Sequence, residues 1–258
     1  MSPTARRSSH RIPSYITWPV LFTLALFVTW EIGCRGFKVP PTFLPAPSQI
    51  FGALWEYRKA IVADSAVTLW TTLAGFGIAT VAGLLIGVLI GISTQIYEGL
   101  YPVMIGFNSI PKVAVVPVLI LWFGVGSIPA VITAFLISFF PIVVNVATGL
   151  ATTEPELRDV LKALGASRME IVSKIGLPRA MPYFFSSLKV AITLAFVGSV
   201  MAETVGSNSG VGHLMLTAQA AFEVPLVFAS LLALAVLGIV LYAAMVVVER
   251  RFTWWAYR

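Results

Sequence analysis

Six apolar runs, each about as long as the roughly 20 residues a helix needs to cross a bilayer, constrain this chain more than any motif in it. They lie at residues 16–34, 67–92, 101–123, 128–150, 183–205 and 226–248. With 58% hydrophobic residues, 11% charged residues and a mean hydropathy of +0.92, the composition is far from that of a soluble domain. The chain reads as an all-α integral membrane protein of about six transmembrane helices. A tail at 1–15 precedes a transmembrane domain at 16–250, and a second tail follows at 251–258.

Short loops divide the positive charge unequally, which sets an orientation. Placing the N-terminus in the cytoplasm puts Arg6, Arg7, Arg11, Arg158, Lys162, Arg168, Lys174, Arg179, Arg250, Arg251 and Arg258 inside. Only Arg35, Lys38, Arg58 and Lys59 fall outside, all in the first loop. Both termini are then cytoplasmic. Anionic headgroups and this asymmetry account for the net charge of +6, so membrane lipid is an expected partner and nucleic acid is not. The run at 16–34 is long for a signal peptide and lacks an A-x-A cleavage site, so it reads as a span. Cys34 is the single cysteine, which excludes an intramolecular disulfide framework and a cysteine-rich metal site.

A polar interruption at 152–178 separates the fourth and fifth runs. Thr153 with Glu156 fits a capping box, and Leu157, Val160, Leu161 and Leu164 then recur at helical spacing until Gly165 offers a stop. Ser167 with Glu170 makes a second possible box, followed by Ile171, Val172 and Ile175 and closed by Gly176 and Pro178. Two short amphipathic helices, too short to span and apolar on one face, require a partner for that face. The segment reads as a docking surface.

Polarity inside the runs marks a second region. Pro111 and Pro117 remove backbone donors from the third run, and Asn108 and Lys112 add polar groups near mid-depth. Such a segment is tolerated where it is buried in protein or lines a wet cavity, so Lys112 is expected on an interior path; the alternative is snorkelling to the inner headgroups. Asn145 in the fourth run and Glu203 in the fifth are further polar candidates, while Lys189 reads as snorkelling. Gly83, Gly87 and Gly91 on one helical face predict close packing, within the subunit or between subunits. Residues 48–59 predict a short interfacial helix, and His213 has no ligand partner at metal-binding spacing.

The sequence contains no G-x-x-x-x-G-K-[ST], no H-E-x-x-H and no G-x-S-x-G, and its carboxylates cluster in the polar segment. Catalysis by this chain is not expected. An ion-coupled secondary transporter would require inverted repeats and intramembrane coupling carboxylates, and neither is evident.

The polar segment resembles the EAA loop of the permease subunits of ATP-binding-cassette (ABC) importers, whose pattern is E-A-A, three residues, Gly, nine residues and I-x-L-P. Asp159, Val160 and Leu161 stand at the first triplet, Gly165 is the glycine, and Ile175, Leu177 and Pro178 complete the ending. Asp keeps the charge of the triplet, while Val and Leu make its face bulkier than two alanines. Residues 111–126, with Ala202 and Glu203, resemble the branch that imports nitrate, sulfonates and taurine.

The resemblance implies a type I importer fold and a homodimer of this chain. It also implies two cytoplasmic ATPase subunits that bind ATP and Mg, and an extracytoplasmic solute-binding protein; no cofactor belongs to this chain. Carried over residue by residue, ATPase coupling falls on Glu156, Arg158, Asp159, Leu161, Leu164, Gly165, Ala166, Ser167, Arg168, Ile175, Leu177 and Pro178. The translocation path is expected at Asn108, Pro111, Lys112, Asn145 and Glu203. A small anionic solute is the expected cargo, with a pyrimidine-type vitamin precursor or other heteroaromatic as the alternative.

Overall fold

The computed structural model describes residues 14–151, 160, 161 and 163–254. Among these residues the regular structure is helical: α1 (Ser14–Gly36), α2 (Pro47–Glu56), α3 (Arg58–Gly91), α4 (Thr94–Ser109), a 3-10 turn (Lys112–Val115), α5 (Val116–Phe123), α6 (Ser127–Ala151), α7 (Arg168–Ile171), a π-turn (Val172–Gly176), α8 (Leu177–Gly206), α9 (Val211–Ala220) and α10 (Val224–Phe252). The stretches Arg58–Gly91, Ser127–Ala151, Val172–Gly206 and Val224–Phe252 are each long and apolar enough to cross a membrane. Helix α1 presents Leu21, Phe22, Leu24, Leu26 and Val28 outward, as a helix against lipid does.

The run at 101–123 is not one straight helix. Segments Gln95–Ser109 and Lys112–Phe123 meet at a bend of 70°. Pro111 at the break has no N–H to continue the ladder and holds the preceding residue extended, and Ile110 is found at φ −70°, ψ 126°. Pro117 then occupies the first turn of α5, where its missing donor costs nothing.

Helices α3, α6 and α8 form the core. Small residues repeat along α3 at Gly75, Ala79, Gly83, Gly87 and Gly91, and α6 lies against them. A Cβ added at Gly75, Gly83, Gly87 or Gly91 would come within 2.6–2.9 Å of Ala134, Ile142, Val146 or Leu150 respectively. The partners advance in step, so α3 and α6 run parallel. On α8 the order reverses, with Gly149 near Ala180 and Gly198 near Thr133 and Ala134, so α8 runs antiparallel to α6. The glycine face is thereby used for packing within the subunit.

Around this core Ile142, Ile192, Ala79, Ala134, Ala191 and Ala195 are fully enclosed. A smaller apolar cluster of Ile50, Ala53, Ile61, Ala218, Leu226 and Ala229 joins α2 to the starts of α3 and α10 and to α9. Helix α2 falls where the interfacial helix was expected. Helix α9 was not foreseen: it starts at Val211, shortly after α8 ends at Gly206, and His213 sits in its first turn.

Candidate functional site

The polar segment is built from two helix boundaries that the sequence specifies locally. Gly165 has φ +83°, the left-handed conformation that glycine adopts without a Cβ penalty. The N–H of Ala166 donates to the carbonyl of Leu161 at 2.9 Å, and that of Leu164 to Val160 at 3.1 Å. The bond from Ala166, just past a left-handed glycine, is the long-range bond of a Schellman termination.

Two residues later the next helix starts with a reciprocal cap. Ser167 N–H donates to Glu170 Oε2 at 2.9 Å, and Glu170 N–H donates back to Ser167 Oγ at 3.3 Å. The Ser167 N–H and hydroxyl, each 2.9 Å from Oε2, with Lys174 Nζ 3.6 Å from Oε1, hold the Glu170 carboxyl below the usual carboxylate range. Glu156, Arg158 and Asp159 lie outside the described residues, as does the side chain of Arg168.

The second helix of the segment does not close at Gly176 and Pro178. Gly176 is helical at φ −59°, ψ −55°, and the N–H of Leu177 donates to Val172 five residues back. Pro178, without an N–H, stands in the first turn of α8. A π-turn at this point keeps the chain helical through the proline region instead of ending it. Residues 172–206 therefore form one continuous helical rod, with Ile175 in the π-turn and Leu177 and Pro178 at the start of α8.

The two halves of the segment bury their apolar faces differently. Ile171 is buried against the subunit, whereas Val160 is 56% and Leu164 77% exposed. The unpartnered apolar surface belongs to the turn ahead of Gly165. Ala166 and Leu161 are half-buried between them.

The polar residues of the spans fall into three places. At the α4 break, Lys112 Nζ donates to the carbonyl of Asn108 at 2.9 Å and to its Oδ1 at 2.6 Å. The ammonium thus sits on the carbonyl end of α4, where helix polarity favours a cation. Pro111, between them, is exposed. Asn145 is on α6, its Nδ2 donating to Pro141 O at 2.8 Å on its own helix.

Glu203 occupies neither place. It is 1% exposed. Thr68 Oγ1 donates to Oε2 at 2.8 Å, Thr71 Oγ1 to Oε1 at 3.2 Å, and the N–H of Gly212 to Oε2 at 3.2 Å. Thr68 Oγ1 also accepts from Val211 N–H at 2.9 Å, and Asp64 accepts from Gly210 N–H at 2.8 Å. The opening N–H groups of α9 are therefore capped by side chains of α3 and α8. A carboxyl enclosed this way offers no surface to a passing solute, so Glu203 is corrected from path residue to tie between α3, α8 and α9. Lys189, at the other end of α8, pairs through its Nζ with Glu249 of α10 at 2.7 Å.

Sequence reasoning missed Thr68, Thr71 and Asp64. Three hydroxyl or carboxyl residues at i, i+4 and i+7 on a span were the available signal, because their shared face must meet polar partners.

Comparison with known proteins adds an independent line. The family model described as "binding-protein-dependent transport system inner membrane component" matches residues 79–254, more than half of the chain. A protein of Haemophilus influenzae named as an ABC transporter permease is 31% identical over 92% of this chain and 96% of its own length. A formylaminopyrimidine transport permease of Halalkalibacterium halodurans is 30% identical over 92% of this chain and 95% of its own. A permease named for aliphatic sulfonate transport in Bacillus subtilis is 28% identical over 92% and 86%. Among solved structures, a chain of the inward-facing MetNI methionine ABC transporter superposes with a TM-score of 0.63. At 20% identity it covers 81% of this chain and 99% of that one, which establishes a common fold.

Proposed function

This chain belongs to the family of binding-protein-dependent transport system inner membrane components, and we propose that two copies of it enclose a path for a small anionic solute. It is the permease subunit of an ABC importer and is not itself catalytic. Hydrolysis of MgATP is assigned to a pair of cytoplasmic ATPase subunits. Delivery of solute is assigned to a binding protein on the outer face, with both termini of this chain in the cytoplasm.

The observation that carries the anionic reading is Lys112. Its ammonium is held by two contacts to Asn108 at the break between α4 and α5, beside the exposed Pro111. A fixed cation at a helix break in a membrane domain supports an anion on its way through. Asn145, half-buried on α6, is the further path residue retained.

The polar segment is the proposed ATPase dock. Exposed Val160 and Leu164 supply the apolar contact, and the rod of residues 172–206 carries displacement from the dock into the membrane. Rigid-body rocking of such a rod opens the path to one side or the other.

A heteroaromatic cargo is the second reading. It is favoured by the 30% identity to the formylaminopyrimidine permease over nearly the full length of both chains. The two readings separate in one experiment: solute-stimulated ATPase activity of the reconstituted complex with its cognate binding protein. Stimulation by taurine, an alkyl sulfonate or nitrate supports the first. Stimulation by a formylaminopyrimidine alone replaces it with the second.

A further inference from the structure

We propose that the groove between α8 and α10 at the level of Lys189 is a binding site for the phosphate group of an anionic membrane phospholipid. The groove has a volume of about 680 Å³ and is lined by Lys189, Tyr242, Val246, Glu249, Arg250 and Trp254. Its chemistry is ordered along one face of α10: Tyr242 and Val246 lie toward the membrane centre, Glu249 and Arg250 follow, and Trp254 comes after the helix end. An apolar wall leading to cations flanked by amphipathic rings is the arrangement that meets an acyl chain and its headgroup.

The depth of the groove is fixed by α8. From Lys189 to Gly206 the helix rises about 25 Å at 1.5 Å per residue. That is close to the roughly 30 Å of a hydrocarbon core, and between those two residues α8 carries one charged side chain, Glu203, enclosed in its hydroxyl cage. Below Lys189 the same helix continues to Leu177 and the π-turn. Lys189 thus lies at the edge of the apolar layer, with the docking segment beyond it. Arg250 and Arg251, in the last turn of α10, mark the same level.

Glu249 fixes the position of one of the two cations. It is 5% exposed, and its pairing at 2.7 Å fixes Lys189 Nζ at the groove wall instead of leaving a long side chain to sample the interface. Arg250 is exposed beside it, so the lining carries two cations and one anion. The guanidinium is suited to bidentate contact with phosphate. A free anion would bring the same phosphate chemistry, but the apolar wall and the headgroup depth select the lipid.

The proposal rests on the orientation given above, with the docking segment in the cytoplasm, but its readout needs neither solute nor transport. The purified permease–ATPase complex in detergent is heated with phosphatidylglycerol, with phosphatidylcholine or with inorganic phosphate, and its unfolding midpoint is recorded. Phosphatidylglycerol is expected to raise the midpoint by several degrees more than phosphatidylcholine, and Arg250→Gln to remove at least half of that difference. Arg251→Gln, a charge change outside the groove lining, is expected to retain it. Equal shifts with both lipids, an equal loss in both variants, or an equal shift from inorganic phosphate would overturn the assignment.

Discussion

Thr68 Oγ1 lies 2.8 Å from Glu203 Oε2 and, through the same oxygen, 2.9 Å from the amide of Val211, so one hydroxyl ties α3 to both α8 and α9. Replacing Thr68 by Val keeps the shape and deletes both bonds. A buried donor and a buried acceptor lose a partner, at a cost of about 1–3 kcal/mol. Thr68→Ser retains the hydroxyl and should be close to neutral. Thermal unfolding in detergent tests this, and a Val variant as stable as wild type would remove the tie from the account.

Glycines of α3 separate packing from propensity. At Gly87 a Cβ would stand 2.7 Å from Val146 Cβ and 3.0 Å from Val143 O, atoms that no side-chain rotation moves away. Gly87→Ala should therefore destabilise by about 1–3 kcal/mol, the usual range for overpacking. Gly77, on the same helix, has nothing within 4 Å. There Ala should be neutral or stabilising by up to about 1 kcal/mol, because it orders the helix better than Gly. The opposite signs within one helix are the test; matching effects would mean that the close α3–α6 contact is not what Gly87 serves.

What the sequence exposes and what it hides follow from the range of each interaction. The helices were legible because apolar runs report burial directly, and Gly165 and the Ser167–Glu170 cap because both act within a few residues. The 70° break was half legible: Pro111 announces an interrupted ladder but not its angle. Glu203 was misplaced because its partners Thr68 and Thr71 are more than a hundred positions away, and the polar face they share with Asp64 says that a partner is needed but not which one. The Lys189–Glu249 pair was hidden for the same reason, since Glu249 lies on another span. The π-turn was hidden because Gly176 and Pro178 are ordinary stop signals. There Gly176 stays helical and packs against Leu150, where a Cβ would meet Cδ2 at 3.0 Å.

Gly165 allows the dock to be tested by conformation alone. Among the described residues, chain neighbours aside, no atom lies within 4 Å of a Cβ built there, so the obstacle a substitution meets is φ +83°. Asn tolerates that region better than a β-branched residue does. Gly165→Asn should keep most uptake and ATPase association, while Gly165→Val should lose both. Similar uptake in the two variants would detach the left-handed turn from docking.

The Ser167–Glu170 cap should respond to acid. Its carboxyl is held below the usual range by the Ser167 N–H and hydroxyl and by Lys174. A depressed carboxyl contributes at neutral pH, above its unfolded value, and loses that contribution as pH falls through the folded value, which lies below the ordinary carboxylate range. Amide protection at Ser167 should fall in that window, and Glu170→Gln should show no such step. A pH-independent protection in the wild-type protein would contradict the cap.

The continuous rod at 172–206 makes the last and sharpest prediction. If displacement passes from the dock into α8 through the π-turn, the angular relation between the two must matter as much as their connection. Deleting Ser173 removes one residue from the π-turn while leaving Lys174–Pro178 intact, and one residue rotates the preceding helix by about 100°. The spans from Leu177 onward are untouched, so the permease should still fold and insert, with the buried contact of Ile171 lost and ATPase association weakened as in Gly165→Val. The dock would face away from its groove on the ATPase, and uptake should be lost while basal ATP hydrolysis by the partner persists. Wild-type uptake in the deletion variant would show that the connection at 172–176 behaves as a flexible tether, and the rod would then carry no mechanical role.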